Sequence, residues 1–324
     1  MSTILITGGA GFIGSHLTES LLARGHQVLI LDDLSSGDME NISHLRENNS
    51  LQFFHGSIKS FQTLDELVER VDLIYHLAAT VGVYNIIQSP VRTISNNIGG
   101  TEAVLRAASM KQVPVVLAST SEVYGKSTEA PFREDGDVVL GPTSRARWSY
   151  ATSKLADEFM ALAYWRERHV PTVVVRLFNT IGPRQSGRYG MVVPRFINQA
   201  LHGRPLTVFG TGQQTRCFTY VRDVVEWMIL LPELKQAVGK VFNLGNPSEV
   251  SIRDLASTVV RLSGADVQIQ LIPYEKAYDE GFEDMERRLP DISRVVSVTG
   301  YSPKYDLETM LGETIDWFRL QRGR

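Results

Sequence analysis

Tyr150 and Lys154 stand four residues apart at the start of a stretch, Ser149–Arg168, with a helical pattern. That spacing puts both side chains on one helix face. An ammonium beside a phenol favours the phenolate, which makes Tyr150 a general base for an alcohol proton. An ordinary exposed pair has the same spacing, so the surroundings must decide. Ser119-Thr120-Ser121 follows the apolar run Val115-Val116-Leu117-Ala118. It falls at the carboxyl edge, where open α/β sheets take ligands. Asn97 lies in the helical stretch ahead of that run.

The N-terminus supplies a partner for such a base. Thr3-Ile4-Leu5-Ile6-Thr7 reads as a strand, followed by Gly8-Gly9-Ala10-Gly11-Phe12-Ile13-Gly14 and a helical pattern from Ser15 to Ala23. Small residues let the backbone approach a pyrophosphate, and the helix N-terminus adds free N–H groups. The glycines fit two registers, Gly9/Gly11/Gly14 and Gly8/Gly11/Gly14. A tight turn without a ligand is the competing reading. Against it stands the acid at the end of the next strand, Asp32 after Gln27-Val28-Leu29-Ile30-Leu31. A carboxylate there accepts ribose hydroxyls and repels a 2′-phosphate, so the expected cofactor is NAD.

These residues need a scaffold, and the pattern provides one. Strands are expected at 3–7, 27–32, 51–56, 71–77, 113–119 and 171–177, with helices near 13–24, 61–69, 93–110 and 149–168. This is the rhythm of an α/β doubly wound parallel sheet, a Rossmann fold. Val115–Ala118 and Val173–Val175 are continuous apolar runs, as strands buried on both faces require. After Phe178 glycines punctuate a looped region. A helix near 221–234 and a strand at Val241-Phe242-Asn243-Leu244 read as a return to the sheet. Ser251-Ile252-Arg253-Asp254 reads as a capping box, 274–292 as a charged loop, and 306–321 as a closing helix. The expected division is a cofactor domain over 1–178, rejoined at about 217–246, with 179–324 mainly a smaller substrate lobe.

Bulk composition narrows the function classes. The chain has 324 residues, 43% of them hydrophobic, and a net charge of −3 without any block of one sign. Neither nucleic acid nor an anionic membrane is an expected partner. One cysteine, Cys217, excludes an intrachain disulfide and two-cysteine redox chemistry. The seven histidines show no metal-ligand spacing, so no metal is expected. The apolar stretches are strand-sized or amphipathic, and the nucleotide fold begins at residue 3. A cytoplasmic protein is expected.

Taken together, Gly8-x-x-Gly11-x-x-Gly14, Leu77-Ala78-Ala79, Ser119-Thr120-Ser121, Tyr150-x-x-x-Lys154 and Phe178-Asn179-Thr180 resemble the extended short-chain dehydrogenase/reductase family. Within it they resemble the nucleotide-sugar branch. The resemblance spans nearly the whole chain. It implies NAD contacts at Gly8, Gly11, Phe12, Ile13, Gly14, Asp32, Leu77, Ala78 and Ala79. It also implies that Thr120 or Ser121 bonds the reacting sugar hydroxyl, Tyr150 takes its proton, Lys154 holds the nicotinamide ribose, and Asn97 supports the lysine through water. The family usually carries an aspartate for adenine after the third strand. Here the segment is His55-Gly56-Ser57-Ile58, so Ser57 and Ile58 take that place.

The same resemblance implies a UDP-sugar substrate, with Asn179, Arg184, Arg216 and Arg288 in its binding site. Arginine forks suit a diphosphate, and Arg184 suits a sugar carboxylate. Thr120-Ser121-Glu122-Val123-Tyr124-Gly125, Arg147-Trp148-Ser149-Tyr150 and the Gly281–Asp284 to Arg288-Leu289-Pro290-Asp291 segment resemble UDP-glucuronate decarboxylases. Oxidation at C4 makes a β-keto acid that loses CO2, and Glu122 with Arg216 would manage the proton and negative charge. Epimerisation at C4 of a UDP-sugar begins with the same oxidation and is the rival. A regulatory NAD-binding module is a further alternative, against which both Tyr150 and Lys154 are retained. By analogy with the family, a homodimer is expected through the helices at 93–110 and 149–168.

Overall fold

The computed structural model describes residues 1–82, 89–187, 191–273 and 287–322. The chain begins β1 (Thr3–Thr7), α1 (Phe12–Ala23), β2 (Gln27–Asp32), β3 (Leu51–His55), α2 (Phe61–Val68), β4 (Leu73–His76) and α3 (Pro90–Lys111). It continues with β5 (Val115–Thr120), α4 (Arg147–Arg168), β6 (Thr172–Leu177) and β7 (Thr180–Ile181). Then come α5 (Val192–Leu201), β8 (Leu206–Phe209), β9 (Thr215–Cys217), β10 (Thr219–Tyr220), α6 (Val221–Leu230) and β11 (Lys240–Leu244). The last are β12 (Glu249–Ser251), α7 (Ile252–Ser263), β13 (Ile269–Ile272), α8 (Ser293–Thr299) and α9 (Leu307–Arg322).

Seven strands form one sheet in the order β11-β6-β5-β4-β1-β2-β3, every pair parallel. The strand order reverses between β1 and β4, and a ligand crevice opens beyond the carboxyl ends at such a point. Period-two alternation builds two cores. Leu5, Leu29, Leu31, Ile74, Leu117 and Val174 point to one face, with α2 and α3 residues. Ile4, Ile6, Ile30, Tyr75, Val173 and Val175 point to the other, with α1, α5 and α6 residues. The Rossmann sheet expected from the sequence is therefore present, and β11 rejoins it beside β6 as expected.

The region after Phe178 is more ordered than a looped reading allows. It contains α5, with Val193, Phe196, Ile197 and Ala200 buried. Six short strands pair outside the main sheet: β7 with β10, β8 with β13, and β9 with β12. Ser251 caps α7 as expected, its Oγ accepting the Asp254 N–H at 3.0 Å. Of the expected loop at 274–292, residues 274–286 lie outside the described residues, and α8 begins at Ser293, just past it.

One buried ion pair fastens helix α4 to the sheet. Arg176 on β6 donates Nε and Nη2 to both oxygens of Glu158, at 2.8–3.2 Å. Ser119 on β5 also donates to Glu158. Both charged side chains are less than a tenth exposed. Removing one member leaves the other charge buried and uncompensated, which costs about 3–5 kcal/mol. Glu158→Gln should therefore lower unfolding stability by about that amount, read from the urea midpoint at unchanged slope. Pairing it with Arg176→Met should recover most of the loss.

Candidate active site

Helix α4 begins at Arg147, so Tyr150 and Lys154 lie in its first two turns. Local hydrogen bonds hold this end. Ser149 donates to the Ala146 carbonyl at 2.6 Å and Ser153 to the Tyr150 carbonyl at 2.8 Å. Asn97 on α3 is fully used nearby. Its Oδ1 accepts the Thr80 N–H at 2.8 Å, and its Nδ2 donates to Ser153 Oγ at 3.1 Å. Asn97 thus ties the turn that carries Tyr150 to Thr80, through Ser153.

Lys154 is buried and its Nζ donates to Asp157 Oδ2 at 2.7 Å. Tyr150 bonds Thr120, whose Oγ1 also accepts the Glu122 N–H at 3.2 Å. The tyrosine pKa is raised, first by burial and then by the Glu122 carboxylate, with Asp157 adding to the rise and the Thr120 hydrogen bond opposing it. The expected depression of this phenol by Lys154 is therefore not what the geometry gives: the ammonium is turned to Asp157. Beneath them His76 bridges Thr7 and Thr101 at 2.7 and 3.3 Å. Burial, and then Lys154, pushes its pKa down to about 3, which keeps the imidazole neutral.

Ser121, Glu122, Val123 and Tyr124 form a short 3-10 turn capped by Thr120. Ser121 is buried and Glu122 projects partly exposed. Arg288 approaches Glu122 to 3.6 Å. Asn243 on β11 explains why these two segments meet. Its Oδ1 accepts the Tyr124 hydroxyl at 2.7 Å, and its Nδ2 donates to the Phe132 and Asp291 carbonyls at 2.8 and 3.1 Å. Phe132 and Asp291 also exchange backbone bonds with Leu289 and Phe132. Asn243 was not singled out from the sequence, although an amide inside Val241-Phe242-Asn243-Leu244 is the signal that could have found it. Asp157 and His76 were missed for lack of any spacing motif.

The other substrate-side residues separate into two groups. Asn179 donates to the Cys217 carbonyl at 3.0 Å, which sets it beside buried Arg216 on β9. Arg216 donates to the Thr215 carbonyl at 2.7 Å. Cys217 itself is fully buried, and burial pushes its thiol pKa up to about 12. Arg184, by contrast, bonds Glu19 of α1 at 2.6 Å and lies against His44. Its Nη2 staples the 183–184 turn to α1, while its Nη1 is buried without a hydrogen-bond partner.

The nucleotide side is closely defined. Gly8 has φ of +78°, and a Cβ there would lie 2.8 Å from the Ala78 nitrogen, so the Leu77–Ala79 segment runs against the glycine turn. A Cβ on Gly14 would lie 2.2 Å from the Gly8 carbonyl oxygen. Only glycine lets helix α1, with Phe12 and Ile13 in its first turn, start this close to β1. Asp32 accepts N–H groups of Ala10 and Leu34 at 2.9 and 2.8 Å. A carboxylate offers about four acceptor positions, so capacity for ribose hydroxyls remains. Ile58 packs on α3 at Gly100, and Ser57 Oγ accepts the Lys59 N–H at 3.2 Å. These residues fit a dinucleotide.

A parallel Rossmann sheet with a glycine cradle, an acid at the end of β2 and a Tyr-x-x-x-Lys helix facing the end of β5 defines a short-chain dehydrogenase/reductase of the extended type. The chain belongs to the GDP-mannose 4,6 dehydratase family, whose sequence profile matches residues 5–314. It is 42% identical over 316 residues to the UDP-N-acetyl-alpha-D-glucosaminuronate decarboxylase of Bacillus cytotoxicus, covering 97% of each chain. It is 38% identical over 319 residues to UDP-glucuronic acid decarboxylase 1 of Xenopus tropicalis, covering 98% of this chain and 72% of that one. Among solved structures, UDP-glucuronic acid 4-epimerase from Bacillus cereus, in complex with UDP-glucuronic acid and NAD, is similar. Its TM-score is 0.88 at 31% identity, over 98% of this chain and 99% of that one.

The position of Asp32 generates a test of cofactor choice. A binding titration should show NAD preferred to NADP, and Asp32→Ala should narrow the gap by weakening NAD more. Equal affinity of the unaltered protein for both would remove Asp32 from the ribose site.

Proposed function

We propose that this chain is an NAD-dependent UDP-hexuronate decarboxylase that oxidises C4 of UDP-glucuronate, releases CO2 and re-reduces C4 to give UDP-xylose. The observation that carries the reading is the Glu122–Arg288 pair, 3.6 Å apart and next to Thr120 and Tyr150. C4 oxidation needs only a base and a hydride acceptor. A carboxylate and a guanidinium beside the base suit the steps that follow.

NAD, when bound, supplies the reversible oxidation at C4. The chain's own residues do the rest. Thr120 holds the C4 hydroxyl toward Tyr150, and Tyr150 takes its proton as the C4–H electron pair departs. The resulting β-keto acid breaks its C5–C6 bond, C6 leaves as CO2, and the electron pair becomes an enolate at C5 and the C4 oxygen. Arg288 stabilises that charge as a charge-assisted donor. Glu122 handles the proton that C5 must gain. Tyr150 then returns its proton to the C4 oxygen as the hydride comes back. Asn179 and Arg216 are assigned to the diphosphate, and Arg288 stands between diphosphate and ring.

The substrate of the Bacillus cytotoxicus relative favours a second reading, in which the hexuronate carries an acetamido group at C2. Incubation with NAD and either UDP-glucuronate or UDP-N-acetylglucosaminuronate, followed by mass analysis, decides between them. The expected product lacks CO2. A product of unchanged mass and inverted C4 means that the chain is an epimerase. Tyr150→Phe should cut turnover by about 10²–10⁴-fold. Glu122→Gln should slow CO2 release or C5 protonation more than the first hydride transfer, so that single turnovers show reduced nicotinamide ahead of product.

We also propose a homodimer through α3 and α4. These helices expose Val91 and Phe159, 78% and 68% accessible, where a lone chain gains nothing from apolar side chains. Sedimentation should give twice the 36.2 kDa chain mass, and Phe159→Glu should shift it toward the monomer. A cytoplasmic location belongs to the same reading, since lone, buried Cys217 calls for no oxidising compartment. Among the described residues no helix is long and apolar enough to cross a membrane.

A further inference from the structure

Asp157 takes no part in the reaction derived above, yet it is fully buried at its centre. Its Oδ2 lies 2.7 Å from Lys154 Nζ, and its Oδ1 has no hydrogen-bond partner. Burying a carboxylate with one oxygen unpaired is costly. A charge kept there at such a cost invites a functional explanation.

The charges around it narrow what that function is. On α4 the neighbouring Glu158 is committed to Arg176 and Ser119. From α3 come Asn97 and Thr101, both neutral. From β4 comes His76, uncharged at working pH. From the turn after β5 comes Glu122, facing Tyr150 and paired with Arg288. Asp157 is thus the carboxylate that answers the Lys154 ammonium. A paired cation acts at a distance as a dipole, and its field at Tyr150 falls off faster than that of a bare charge.

We propose that Asp157 is a positioning residue that holds and partly neutralises the Lys154 ammonium, and so sets how strongly that lysine draws the proton from Tyr150. The inference rests on the reading of Tyr150 as the general base. Its chemical sense lies in the two-way traffic at that phenol. Tyr150 accepts the C4 hydroxyl proton as hydride leaves C4, and donates the same proton when hydride returns. A phenol dragged far down by a bare ammonium would be a ready base and a poor acid. Tempering the lysine keeps both directions open.

The test follows nicotinamide reduction in single turnovers across pH, with UDP-glucuronate and the NAD-loaded enzyme. It compares the unaltered protein with Asp157→Asn, Asp157→Ser and Asp157→Glu, and checks each fold by circular dichroism. Without the aspartate charge, Lys154 acts on Tyr150 unopposed and the phenol ionises more easily. The base then works at lower pH, so the acid limb should move down by about one pH unit or more in Asp157→Asn and Asp157→Ser. Reduced nicotinamide should also accumulate, because the returning protonation slows. Asp157→Glu should restore the limb, which a merely structural role does not require. A limb that stays in place or moves up in a folded variant overturns the proposal. Alkaline absorbance titrations of the unaltered protein and of Asp157→Asn, each minus its Tyr150→Phe counterpart, read the phenol directly. A phenol that ionises at lower pH in Asp157→Asn supports the proposal. One that ionises at the same or higher pH overturns it. Should Tyr150→Phe keep full nicotinamide reduction, the general-base reading fails, and the phenol titration still decides the role of Asp157.

Discussion

A primary amide cannot be buried with its donors and acceptor unpaired, and Asn243 is fully buried at the end of β11. An unsatisfied polar group in such a place costs about 1–3 kcal/mol. Asn243 can meet its needs only by drawing in three segments: the Tyr124 hydroxyl, the Phe132 carbonyl and the Asp291 carbonyl. That one requirement brings the turn bearing Glu122 to the segment bearing Arg288. Its backbone N–H goes to Glu134 at 2.9 Å, which extends the same network outward. The aromatic stack of Tyr124 on Phe132, 4.7 Å between centroids, fills the space between these bonds. Arg176 covers the Tyr124 ring from 4.8 Å and connects the network to Glu158 and helix α4.

The same logic governs the charges around the phenol. Lys154, Asp157, Glu122 and Arg288 form two pairs, and the carboxylate of each acts on Tyr150. Neither pair is open to bulk water on all sides, so each ion's influence depends on what its partner leaves uncancelled. Burial acts on the phenol first, and the Glu122 and Asp157 carboxylates add to it in the same direction. His76 contributes by staying neutral. A cation at that place would compete with Lys154 for the few acceptors in reach.

Much of this was legible in the sequence, for identifiable reasons. The sheet was readable because strands such as Val173–Val175 are buried on both faces and carry no polar residue to confuse the pattern. The glycine turn was readable because steric exclusion at Gly14 admits no substitute. The Tyr150–Lys154 spacing was readable because helix geometry fixes it. The region after Phe178 was not: its paired strands are two to four residues long, too short for alternation to register. Pro194 in the first turn of α5 also reads as a break, although proline is tolerated there. The ionic partners were the least legible. Glu122 meets Arg288 and Arg184 meets Glu19, because side-chain pairing across the chain is set by tertiary stitching that leaves no spacing in the sequence.

Cys217 has a consequence of another kind. Its thiol is fully covered, held protonated by burial, and without a second cysteine in the chain. Alkylating and oxidising reagents act on exposed thiolates, so the folded molecule presents them with almost nothing. Unfolding uncovers a single reactive sulfur per chain. The protein therefore carries its own stoichiometric reporter of the unfolded population, placed one residue from Arg216 on β9.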